Sequence, residues 1–117
     1  MTFDECYKQV ILPSYEELKE EWELSEGNRG EIETLGSAHR LTLSTKTASR
    51  SWKLMASISE EERGRLRIDG WYSLNGTGEQ LSPKTMRIEE LTLSGIRGAI
   101  DVLKNMLEEM KRKQRIA

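Results

Sequence analysis

The chain has 117 residues, 36% of them hydrophobic and 32% charged, with a formal net charge of −2 and a single cysteine. That length suits one domain with a modest core. One cysteine excludes an internal disulfide or a Cys/His metal cluster, and no apolar run approaches the ~18 residues that cross a bilayer.

The N-terminus, MTFDECYKQV, is acidic and lacks the basic-then-apolar order of a secretion signal. With the lone Cys6, this sets the expectation of a cytoplasmic protein. Thr2 with Glu5, and Ser14 with Glu17 behind Pro13, have capping-box spacing and predict two helix starts. Tyr15, Leu18 and Trp22 recur at i, i+3 and i+7, one face of a helix whose other faces are mostly glutamate. EGNRG (26–30) reads as the helix stop and a loop.

From residue 39 the period changes to two. HRLTLSTK (39–46), SWKLMASI (51–58) and RLRIDGWYSL (65–74) each alternate apolar with polar positions, the pattern of half-buried antiparallel strands. Ser59 with Glu62 is a further capping box, so SEEERGRL also suits a helical turn before the third strand. After the loop NGTGEQLSP (75–83), a fourth strand is expected in MRIEELTL (86–93). Its alternation slips between Ile88 and Leu91, which a bulge at Glu89–Glu90 would reconcile. Ile96, Ala99, Ile100, Leu103, Met106, Leu107 and Met110 then recur at threes and fours and predict one long buried-face helix. The cations of KRKQR (111–115) suit its C-terminus.

The expected fold class is α+β in a single domain, residues 1–117. An acidic helical region (1–25) precedes an antiparallel sheet of about four strands (37–93). A C-terminal helix (94–115) then packs on one sheet face. So small a core makes a homodimer the expected assembly.

The face left uncovered carries Arg40, Thr42, Ser44, Lys46, Ser51, Lys53, Met55, Arg65, Arg67, Asp69, Trp71 and Arg87, with Thr92 opposite in parity to Leu91 and Leu93. Acids outnumber bases ten to three in residues 1–36, whereas bases lead seven to four in 37–74 and eight to six in 75–117. Cations mixed with hydroxyls suit a polyanion, Lys and Arg neutralising phosphates while Ser and Thr bond phosphate or 2′-hydroxyl oxygens. The same composition also suits an ordinary solvated face, and Trp71 also fits a sheet rim or a subunit contact.

Catalytic and metal readings find no support. His39 is the sole histidine and has no patterned acid or nucleophile partner. No dinucleotide or phosphate-loop motif is present, and Glu60–Glu62 reads as a solvated cap. No enzyme activity, cofactor, metal, membrane or small-molecule substrate is expected.

In order, the elements resemble the small-RNA-binding silencing suppressors of tombusviruses and their relatives. Pro13-Ser14-Tyr15 with Trp22 is similar to that family's Pro-Ser-aromatic helix start. Arg87 followed by Leu91-Thr92-Leu93-Ser94-Gly95 is similar to its Arg and Thr-Val-Ser-Gly strand end, and Lys111-Arg112-Lys113-Gln114 to its basic tail helix. The resemblance implies a dimer whose continuous sheet cradles a short RNA duplex, in the host cytoplasm if the protein is viral. It implies backbone contacts from Arg87, Thr92 and Ser94, and stacking of Tyr15 or Trp22 on the duplex ends. The family's paired tryptophans lie three apart, whereas Leu18 holds the +3 position here. Arg40, Thr42, Lys46, Lys53, Arg65, Arg67 and Trp71 join the expected RNA-binding set on the face pattern alone.

LRIDGWYSLNGTGE followed by LTLS and a helix also resembles single-stranded-DNA-binding transcriptional coactivators. The expected function is double-stranded-RNA binding and sequestration. A single-stranded nucleic-acid regulator and a small dimeric protein-interaction module are the alternatives.

Overall fold

Thr2 opens the first helix as its spacing predicts. Its hydroxyl accepts from the Glu5 amide at 3.2 Å, and the Glu5 carboxylate accepts from the Thr2 amide at 3.2 Å. In the computed structural model, which describes residues 1–46 and 51–116 with side chains through Lys113, α1 (Phe3–Cys6) runs through a π-helical turn (Tyr7–Ile11) directly into α2 (Leu12–Glu23). Ser14 is therefore not a helix start, which corrects the second capping box. Pro13 sits inside the continuous helix, where a proline has no N–H to give and its ring crowds the carbonyl four residues back. The widened turn accommodates it, with Leu12 donating to the Tyr7 carbonyl. The buried Ser14 hydroxyl takes up the Val10 carbonyl at 2.6 Å.

Among the described residues the sheet has six antiparallel strands rather than about four. These are β1 (Asn28–Leu35), β2 (Ala38–Lys46), β3 (Ser51–Glu62), β4 (Arg65–Leu74), β5 (Thr77–Gln80) and β6 (Lys84–Arg87). The order is β1-β2-β3-β4-β5, with β6 pairing the other half of β4. The three expected central strands are present. β1 replaces part of the expected loop and β5 part of the next. SEEERGRL is no helical turn: Ser59–Glu62 end β3 with a register shift between Glu60 and Glu62, Arg63 and Gly64 make the turn, and Arg65 opens β4.

The largest departure lies after Arg87. The strand expected through Leu93 ends there, and α3 (Ile88–Ile116) begins at once, broken at Gly95 by φ 69° and ψ −166°. Ile88 and Leu91, three apart, are buried, while Leu93 is 88% exposed. The parity slip at Glu89–Glu90 is thus a change of period rather than a bulge, and the sheet–helix boundary moves from 94 back to 88. Positive φ at Gly95 lets the chain turn a corner that a side chain would resist. Past it, six of the seven expected core residues are buried; Ile96, at the corner, is 40% exposed. Gln114 and Arg115 of the basic tail have side chains outside the described residues.

All helices lie on one face of the sheet, as the α+β reading expects. α2 covers β1 and β2, and α3 covers β4 and β3, over a core of Leu41, Leu43, Leu54, Ile58, Leu66 and Ile68. Two glycines allow the approach. A Cβ on Gly30 would stand 2.7 Å from Lys19 Cγ, and one on Gly70 would stand 2.9 Å from Met106 Sδ. Gly70→Val is therefore expected to destabilise the fold by ~1–3 kcal/mol, as overpacking of a filled interior does. A lowered urea midpoint at unchanged slope is the check.

Candidate nucleic-acid interface

Cross-strand partners share a face, so the register writes out the uncovered side row by row. Arg29, Ser44, Lys53, Ser73 and Gly78 form one row from β1 to β5. Glu31, Thr42, Met55, Trp71 and Gln80 form the next, then Glu33, Arg40, Ser57 and Asp69. Beyond them Ser59, Arg67 and Thr85 align, and Arg65 stands directly opposite Arg87. Lys46 closes the other end, opposite Ser51. The alternation placed Arg40, Thr42, Lys46, Lys53, Arg65, Arg67, Trp71 and Arg87 on one surface, and the fold brings these eight together.

β1 adds what the sequence reading missed: Arg29, but also Glu31 and Glu33. Arg40 Nη2 lies 3.3 Å from Glu33 Oε2, and Arg67 lies 3.1 Å from Asp69 and 3.7 Å from Glu61. These two arginines are already engaged. Among the described residues, Arg29, Lys46, Lys53, Arg65 and Arg87 have no carboxylate within ion-pair distance. Like charges placed opposite one another, as Arg65 and Arg87 are, cost stability unless an anion lies between them. Free cations thus gather at both ends of the face. Lys53 and Arg65 stand eight residues apart in β4 register, roughly 27 Å along the strand direction.

Between these ends Trp71 is half-buried, with its indole lying against β5. A Cβ on Gly78 would stand 2.6 Å from the ring, so glycine is what lets the indole lie there. Open hollows flank it. One is lined by Ser57, Ser59, Arg67, Asp69 and Gln80, the other by Glu33, Arg40, Thr42, Lys53 and Ser73. Met55 and Trp71 border both.

Four expected contacts fall elsewhere. Thr92 is helical, and its hydroxyl donates to the Ile88 carbonyl at 2.8 Å. Ser94, exposed at the end of that turn, donates to the Leu91 carbonyl at 2.9 Å. Both follow the helix rather than a strand and leave the open face. Tyr15 is wholly buried, its hydroxyl donating to the His39 carbonyl at 2.9 Å. No part of that ring is free to stack on a base pair, and burial pushes its ionisation far above the usual tyrosine range. Trp22 lies on the helix side. Its indole N–H donates to the Ser44 carbonyl at 3.0 Å, its ring meets Trp52 edge-on at 5.6 Å, and Lys111 stands 5.4 Å over it. The sheet separates it from the basic face.

His39 packs against the π-helical turn. Its ring stacks on Tyr7 at 3.5 Å and bonds Thr34 at 2.9 Å, and burial lowers its pKa. Cys6 is buried, and desolvation raises its thiol pKa. Among the described residues, no group of three His, Cys, Asp or Glu could hold a metal ion, and no helix is long and apolar enough to cross a membrane. No family model, curated protein or solved structure matches this chain.

Proposed function

We propose that the protein binds double-stranded RNA without catalysis, laying the uncovered sheet face along the sugar-phosphate backbone. One observation carries the reading. Lys46 and Lys53 at one end of the face, and the opposed Arg65 and Arg87 at the other, lack carboxylate partners among the described residues. Hydroxyls of Thr42, Ser57 and Thr85 lie between those ends. An RNA duplex offers phosphates and 2′-hydroxyls in regular geometry, so such a surface needs no base readout. The resemblance to tombusvirus-type suppressors extends this to a homodimer that sequesters small RNA duplexes in the host cytoplasm as a suppressor of RNA silencing. Thr92, Ser94, Tyr15 and Trp22 drop out of the proposed contact set, and with them the support for end-capping.

Anisotropy titrations with matched double-stranded RNA, double-stranded DNA and single-stranded RNA test the reading. The duplex RNA is expected to bind tightest, with log affinity falling linearly against log salt. Equal binding of single strands would favour the alternative of a single-strand binder. No binding at low salt would leave the protein-interaction module.

A further inference from the structure

The hollow between β2, β3 and β4 differs from the rest of the basic face. It measures about 520 Å³ and combines Arg40, Lys53 and Thr42 with Met55 and the indole of Trp71. Arg40 Nε is shielded from solvent and has no hydrogen-bond partner among the described residues. A buried donor left unpaired is costly, and Glu33 satisfies only the far end of the guanidinium. Arg40 pairs in register with Ser57, four residues from Lys53, so the two Cα atoms stand roughly 13 Å apart along the strands. Their long side chains can converge on one anion above Met55.

We infer that this hollow is a nucleotide subsite, in which Arg40 and Lys53 hold a phosphate and Trp71 stacks on the ring of one unpaired base. The hollow lies on the face assigned above to duplex RNA, yet its chemistry suits a nucleotide outside the duplex stack. Base–aromatic stacking needs an accessible ring face, which paired bases within a helix do not offer. The subsite therefore accepts a single-stranded extension or a free nucleoside monophosphate. Glu33, at the rim, repels the phosphate and competes for Arg40, so it limits affinity.

The test uses the indole N–H signals of the three tryptophans in the full chain, with Trp71 assigned through Trp71→Phe. Adenosine 5′-monophosphate at low salt is expected to shift the Trp71 signal saturably, with a Kd on the order of 1 mM. Adenosine and inorganic phosphate should each bind at least tenfold more weakly. Lys53→Gln should weaken the nucleotide by about tenfold, as losing one charge-assisted contact does. Glu33→Gln should tighten it. An unmoved Trp71 signal, equal binding of adenosine and its monophosphate, or no response to either substitution would overturn the subsite. The two readings fail separately. Duplex RNA binding with no nucleotide shift removes only the subsite, and a nucleotide shift without duplex binding removes only the duplex reading.

Discussion

Tyr15→Ala is expected to lower the free energy of unfolding by roughly 3–5 kcal/mol, the usual cost of truncating a large buried aromatic. The ring has no solvent exposure and its hydroxyl donates to the His39 carbonyl, so the change opens a cavity and removes that hydrogen bond. Tyr15→Phe keeps the ring and loses only the hydrogen bond, at a cost of about 1 kcal/mol. Urea unfolding of both variants measures the ladder. The functional stake is larger than the stability one. Were Tyr15 a stacking cap for a duplex end, Tyr15→Ala would change length preference while leaving the urea midpoint in place. Burial requires the opposite. The midpoint should fall steeply, and Tyr15→Phe, still folded, should bind duplexes of every length like the parent. A variant with unchanged stability and altered length preference would show that the ring leaves the core to meet RNA.

How far the sequence foretold this depends on which periodicity each segment carries. β2, β3 and β4 alternate over eight or more residues, and their inward residues Leu41, Leu43, Leu54, Ala56, Ile58, Leu66 and Ile68 are all buried. β1 shows no such signal, because Gly30 and Ile32 are the main inward positions and one of them is glycine for the sake of Lys19. β5, Thr77–Gln80, holds no large apolar residue, and its four positions are exposed. Neither could be read from hydrophobicity, since tertiary pairing rather than burial creates them. LTLSG misled for another reason. Leu91 and Leu93 alternate like a strand, but the fold uses Ile88 and Leu91 and leaves Leu93 in water. The Thr92 hydroxyl, bonded to the carbonyl four residues back, is at home in that helical turn.

The candidate interface was legible to the same degree. Period-two arithmetic is enough to gather Lys53, Arg65, Arg67, Trp71 and Arg87 on one surface, since one residue of slip would send each to the other side. It could not say which cations are free. That depends on Glu33 arriving from an unforeseen strand and on Glu61 reaching Arg67 at the end of β3. The resemblance supplied Arg87 as well as Thr92, Ser94 and Tyr15: Arg87 lies on the open face, while the other three sit in helices whose place the surrounding packing sets.

The face itself can be separated from mere charge by paired reversals. Lys53→Glu with Arg65→Glu is expected to weaken duplex RNA binding by at least about a hundredfold at low salt. Each charge-assisted phosphate contact contributes ~1.5–3 kcal/mol, and the new carboxylates repel the backbone as well. The slope of log affinity against log salt should also shrink by about two, one for each cation removed. Arg97→Glu with Lys113→Glu supplies the control. Both are exposed on α3, behind the sheet, and the pair changes net charge by the same amount. If general electrostatic attraction governed binding, the two double variants would lose affinity alike. If the open face is the contact surface, the helix-side pair loses only the long-range share, which falls away beyond about 8–10 Å at physiological salt. The contrast between the pairs should therefore widen as salt rises toward 0.15 M. Equal losses at every salt concentration would move the contact surface off the sheet.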